Sequence, residues 1–241
     1  MDFEIIDCNT VFGPWPAARA EMPVERLIKA LDSHSVVKAF ALSTIGILHN
    51  HGDGNAETIK QCEGKIKLIP TATIDPRGYF GTNGLISKLK DQGFQMMRFF
   101  PEIQEWDLDN IVFGDILEEN ESVGMPFMVQ AGGTGTPTRL ARNLPNRNTK
   151  ILLEGVSFED MAEAISLLRK HDNLMIETSR MKVPGALRFL VDQISADRVV
   201  FGSYCLRNSQ GASLSYIMDS ELSDENKAKI LGANIKELLG N

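Results

Sequence analysis

Short apolar runs alternate with longer amphipathic stretches along the whole chain, as expected when buried parallel strands are joined by crossover helices. Eight runs read as strands: Phe3–Cys8, Val36–Leu42, Ile66–Thr73, Phe94–Phe99, Met125–Gln130, Lys150–Glu154, Asn173–Thr178 and Arg198–Ser203. Several are β-branched and apolar throughout, as strands covered on both faces require. Helices are predicted over Val24–Asp32 with Pro23 near its start, Phe158–Lys170 behind Ser157, Val183–Ile194, and Asp224–Leu239 behind Ser223. Ser157-Phe-Glu-Asp160 and Ser223-Asp-Glu-Asn226 place an oxygen-bearing residue ahead of an acid-rich first turn, the pattern of an N-cap. Ile230, Ile235, Leu238 and Leu239 approximate one apolar stripe on the last helix.

Eight strand–helix units in 241 residues fit a single α/β domain over residues 1–241, either one (β/α)8 TIM-like barrel, the expected fold, or another sizeable α/β domain. No other repeat, low-complexity tract or long linker divides the chain. His49–Asn55, Phe100–Asp107 and Cys205–Gln210 are expected to be irregular loops. Each follows the C-terminal end of a strand, where the loops of such barrels surround the active site.

Charge narrows the partners. Twenty-five basic residues face 32 acidic ones, a net charge of −7, and no Lys/Arg run is dense enough for a phosphate-binding stripe, so nucleic acid is not an expected partner. No apolar stretch approaches the roughly 20 residues that span a bilayer. The opening MDFEIIDCN lacks the basic start of a secretory leader, so the expected location is the cytoplasm. Cys8, Cys62 and Cys205 are too few and too widely spaced for a disulfide framework, and reduced thiols are expected.

Several phrases together resemble the amidohydrolase-related, metal-dependent hydrolases of the amidohydrolase superfamily. They are IIDCNTVFG at the start, TATIDP after the third strand, and MIETS, RVVFGSYCL and ILGANIKELLG towards the end. The resemblance implies a barrel that hydrolyses carbon–oxygen or carbon–nitrogen bonds, with decarboxylation also represented, around one or two divalent metals such as zinc. It also implies histidines at the positions of Asn9 and Val11, further histidines at Gln130 and Glu154 (or Gly155), and an aspartate at Tyr204. Every implied ligand is changed and Val11 has no donor atom, so neither the usual metal centre nor any other cofactor is expected.

The candidate site residues are those that such a barrel aims into its mouth. Asn9, Gln130 and Tyr204 can hydrogen-bond a polar ligand, or can tie strands and loops together. Glu154, ending the apolar ILLE run, suits either general acid–base work or a structural salt bridge. Arg98 and Arg180 suit a substrate carboxylate; Arg98 alternatively pairs with Asp7 or Glu154 as the counter-ion of a buried acid. His49-Asn50-His51 offers two imidazoles but lacks companion ligands, and Cys205 lacks a base. Gly132-Gly133-Thr134-Gly135 reads as a tight turn ahead of a helix, with anion binding the secondary reading. Trp15 and Trp106 are expected in loops, walling a ligand or covering core.

The expected function is hydrolysis, without a metal, of a small polar or carboxylate-bearing lactone- or amide-like substrate. The alternatives are a non-catalytic small-molecule binder and an interaction protein. A small-molecule partner is expected, and homo-oligomerisation is common among such barrels, although no self-complementary surface stands out.

Overall fold

The computed structural model describes residues 3–81, 84–144 and 149–240. Among the described residues nine strands form: β1 (Ile5–Trp15), β2 (Ala20–Met22), β3 (Val36–Ser43), β4 (Leu68–Thr73), β5 (Met96–Phe99), β6 (Phe127–Gln130), β7 (Ile151–Glu154), β8 (Leu174–Glu177) and β9 (Val199–Val200). They lie in the order β2-β1-β3-β4-β5-β6-β7-β8-β9, and all neighbours are parallel except β1 and β2. The sheet curls until its ends meet: Cys8 N–H donates to the Phe201 carbonyl at 3.0 Å, and Val11 N–H to the Cys205 carbonyl at 2.6 Å. The result is the expected eight-stranded parallel barrel, with β2 as a short antiparallel addition to the extended end of β1.

The helices are α1 (Val24–Ser33), α2 (Thr44–Leu48), α3 (His51–Cys62), α4 (Leu85–Asp91), α5 (Pro101–Gln104), α6 (Ile111–Val123), α7 (Thr136–Asn143), α8 (Met161–Leu168), α9 (Ala186–Ile194), α10 (Gln210–Met218), α11 (Asp224–Ala228) and α12 (Asn234–Leu238). A π-helical turn, Lys229–Ala233, joins the last two into the predicted continuous segment, and Ser223 caps its start by accepting from Asn226 N–H. Ser157 does not cap α8: its hydroxyl bonds the Asp160 carboxylate at 2.8 Å, and the helix begins a turn later, at Met161.

The expected loop at His49–Asn55 is a helix start instead. The Asn50 side chain accepts from Asp53 N–H at 3.0 Å, which caps α3. Its glycines serve contact rather than flexibility, since a Cβ on Gly54 would fall on the Gly46 backbone of α2.

Strand alternation separates two cores. Outward residues such as Ala39, Met97, Phe99, Phe127, Val129, Leu153 and Ile176 pack with the helices. Ile6, Phe40, Ile69, Met96, Met128, Leu152, Met175 and Val200, one from each parallel strand, form a separate inner cluster with Cys8 and Ile235. Leu238 and Leu239 also pack against it, so the C-terminal helix stoppers the end of the barrel where the strands begin. Any site must therefore open at the other end.

Gly54→Ala is expected to cost about 1–3 kcal/mol in urea denaturation, because the added methyl overpacks the α2–α3 contact. Gly114→Ala, where the new Cβ meets its nearest atom at an ordinary 3.6 Å inside α6, should instead gain about 0.5–1 kcal/mol.

Candidate functional site

Above the inner apolar cluster the same alternation builds a polar layer. Thr71, Arg98, Gln130, Glu154 and Glu177 each follow an inner apolar residue by two positions, on five adjacent strands from β4 to β8. All are buried. Arg98 Nε donates to Glu154 Oε2 at 2.8 Å and Arg98 Nη2 to Glu154 Oε1 at 2.5 Å, with both side chains 1% exposed. Of the roles open to Arg98, the structure thus forms the ion pair, with Glu154 rather than Asp7. The Arg98 guanidinium lies over two aromatic rings, 4.8 Å from the centre of Phe100 and 5.1 Å from that of Tyr204.

Two further buried acids lie beside this pair. Glu177 accepts from Gly155 N–H (2.9 Å), Ser179 N–H (2.7 Å) and the Ser179 hydroxyl (2.8 Å). Burial, and then the charge of Glu154, push its carboxyl up to about 7. Asp7 accepts from both the N–H and hydroxyl of Ser203 and from Gln210 Nε2, yet burial outweighs these bonds and raises its pKa. Asn9 is fully buried, and neither its Nδ2 nor its Oδ1 has a hydrogen-bond partner; Gln130 Oε1 and Thr71 Oγ1 are likewise unpartnered.

The mouth above this layer is a pocket of about 630 Å³ lined by Trp15, Gln130, Glu154, Arg180, Tyr204 and Arg207, among others. Four predicted site residues therefore converge: Gln130, Glu154, Arg180 and Tyr204. Arg98 and Asn9 do not line it. Arg207 sits over both Trp15 (4.4 Å) and Tyr204 (4.9 Å) and donates to the Tyr204 hydroxyl at 3.0 Å.

The remaining candidates resolve differently. The amides of Gly135 and Thr138, at the start of α7, are taken by the Glu163 carboxylate at 2.9 Å each, so the glycine-rich turn offers no open anion site there. Gly132 is needed because a Cβ there would meet the Gly155 carbonyl. Cys205 is buried, which pushes its thiol up to about 12 and away from nucleophilic use. His49 ends α2 exposed, and His51 opens α3 near Asp75. Trp15 ends β1 rather than lying in a loop, while Trp106 lies outside regular structure, buried against Phe113 at 5.1 Å.

The family model described as amidohydrolase matches residues 81–240. The chain belongs to the amidohydrolase family. No curated protein matches its sequence. Among solved structures it is similar to 5-carboxyvanillate decarboxylase from Sphingomonas paucimobilis (13% identity, 99% of each chain, TM-score 0.76). It is also similar to a probable 2-pyrone-4,6-dicarboxylic acid hydrolase from Acinetobacter baumannii with citric acid bound (17% identity, 99% of this chain and 100% of that one, TM-score 0.71). A third is 4-oxalomesaconate hydratase from Rhodopseudomonas palustris (15% identity, 98% and 95%, TM-score 0.69). At these identities the likeness is one of fold.

At the positions where the resemblance implies metal ligands, this amidohydrolase barrel carries Asn9, Val11, Gln130, Glu154 and Tyr204. Val11 is buried in an apolar cluster with Leu42 and Ile47, each Glu154 oxygen accepts one hydrogen bond from Arg98, and Tyr204 packs over that same arginine. Among the described residues, no group of three or more His, Cys, Asp or Glu could hold a metal. No described helix is long and apolar enough to cross a membrane.

Sequence reasoning missed Glu177 and Arg207. Glu177 ends an apolar LMI run just as Glu154 ends ILL, and that shared pattern could have found it. Arg207 lies in Cys205–Gln210, a stretch expected to be a loop at the active-site end, but where its side chain goes depends on the fold of that loop.

Two outcomes are expected. Untagged protein purified without chelators should carry far less than one zinc or manganese per chain by elemental analysis. Native Glu177 keeps its proton up to about pH 7, whereas the unfolded carboxyl loses it near 4.5. In that window the folded state binds more protons, so stability should fall as pH rises from about 4.5 to 7 and level off above. Glu177→Gln should flatten this slope in urea midpoints measured between pH 5 and 8; an unchanged slope would clear Glu177 of the effect.

Proposed function

We propose that this amidohydrolase-family barrel binds a small carboxylate-bearing molecule in its mouth and hydrolyses a lactone- or amide-like bond in it without a divalent metal. The observation that carries the reading is the convergence of Gln130, Glu154, Arg180 and Tyr204, supplied by four different strand ends, on one pocket of about 630 Å³. Similar structures whose names specify carboxylated compounds, 5-carboxyvanillate and 2-pyrone-4,6-dicarboxylic acid, support an anionic substrate.

In this scheme an arginine at the rim holds the substrate carboxylate. Water adds to the acyl carbon as its proton passes to Glu154, whose lone pairs are only partly used by Arg98. The carbonyl oxygen gains negative charge, for which the Gln130 amide and the Tyr204 hydroxyl are the pocket's donors. The tetrahedral intermediate then breaks the bond to the leaving oxygen or nitrogen, which recovers the proton from Glu154. A second reading, binding without turnover, draws support from the bidentate hold of Arg98 on Glu154.

A panel of carboxylated lactones and N-acyl amino acids tests both. Glu154→Gln should lower kcat by at least about 100-fold with KM within about threefold. Because that change leaves the Arg98 charge unpaired, Glu154→Asp is the companion variant; it keeps the ion pair and should retain intermediate activity. Full turnover by Glu154→Gln would remove the assignment, and a compound that raises the melting temperature without being consumed favours the second reading.

A further inference from the structure

The pocket rim contains three arginines, Arg139, Arg180 and Arg207, and none makes an ion pair among the described residues. They are not equivalent. Arg139 has only a 3.5 Å contact to the Thr136 hydroxyl, and Arg180 lies in the field of Glu159 and Asp160. Arg207 alone is fixed by rings, with its guanidinium carbon 4.4 Å from the centre of Trp15 and 4.9 Å from that of Tyr204. The Tyr204 hydroxyl takes one of its five donors at 3.0 Å. Aromatic contact orients a guanidinium without neutralising it, so its charge and its remaining donors stay available.

The arrangement continues inward. From the rim to the interior the order is Trp15, Arg207, Tyr204, Arg98, Phe100, with arginine and aromatic groups alternating at 4.4, 4.9, 5.1 and 4.8 Å. The inner arginine has its carboxylate in Glu154. Arg207 has the same kind of aromatic setting and no carboxylate, and it borders both the 630 Å³ pocket and a neighbouring cavity of about 490 Å³.

We infer that Arg207 is the anchor for the carboxylate group of the ligand, held by Trp15 and Tyr204 in the orientation that a bidentate pair requires. A side chain already restrained by two rings loses less freedom on binding than a free surface arginine, and its planar fork matches a carboxylate. Arg98 then serves as the interior counter-ion rather than the substrate's partner. The inference rests on the reading of the mouth as a site for small carboxylates.

Titration of the 241-residue protein with benzoate, citrate and uncharged benzamide tests it, read by tryptophan fluorescence and calorimetry at a fixed ionic strength of about 0.15 M. Benzoate or citrate should bind and change the Trp15 emission, and benzamide should bind at least about 10-fold more weakly. Arg207→Gln should weaken carboxylate binding by about 10-fold or more, and Arg207→Lys, which keeps charge but not the planar fork, by at least about fivefold. Arg188→Gln, a surface arginine paired with Asp192, should bind as the parent does. If both Arg207 variants bind carboxylates normally while Arg180→Gln does not, the anchor is wrong and the carboxylate reading stands. If the parent protein prefers benzamide, or binds neither anion below about 50 mM, both fail. Arg207→Lys keeps the test decisive should Arg207→Gln fold poorly.

Discussion

The mouth of the barrel depends on one buried ion pair. Arg98 is among the largest fully buried side chains of the protein, and its charge is tolerable there only because both Glu154 oxygens meet it. Breaking such a pair by removing one partner typically costs about 3–5 kcal/mol, since the other charge is left inside without compensation. The pair also sets its neighbours' chemistry. Glu154 adds to the burial that raises Glu177, and the Arg98 guanidinium gives Phe100 and Tyr204 a surface to stack on. The same guanidinium places a positive charge, compensated by Glu154, beneath the pocket.

The barrel itself was legible because its strands are apolar on both faces and regularly spaced. All eight predicted strands formed, with ends moved mainly where β1 ran on from Cys8 to Trp15 and the last strand shortened to Val199–Val200. Both shifts occur where β1 meets the chain after β9, a closure made by backbone bonds such as Val11 N–H to the Cys205 carbonyl, which leave no periodic trace in a sequence. The misread segment at His49–Asn55 failed for a different reason. Its glycines looked like loop residues, but Gly54 is where α3 touches Gly46 of α2, and glycine has the same letter in both uses.

Legibility of the site followed the same division. Gln130 and Glu154 stand at the ends of regular strands, so counting by twos from Met128 and Leu152 aims them inward, and the same count from Met175 reaches Glu177. Pairing was harder to read. Nothing in the sequence chose Glu154 over Asp7 as the partner of Arg98; that choice comes from β5 and β7 flanking β6 on the curled sheet, while Asp7 is absorbed by Ser203 and Gln210. The loop that carries Arg207 was placed at the right end of the barrel, but the direction of the side chain lay beyond reach, because that loop has no period to extrapolate.

Tyr204 has backbone angles in the left-handed region, with φ at +57°. Glycine, asparagine and aspartate adopt that conformation with little difficulty, whereas a tyrosine there is disfavoured by its own Cβ. Aspartate is also the residue that the family resemblance implies at this place. The path of the chain here therefore suits an aspartate better than the tyrosine it carries. What accompanies the phenol ring in this turn is a pair of guanidinium groups, those of Arg98 and Arg207, 5.1 and 4.9 Å from its centre.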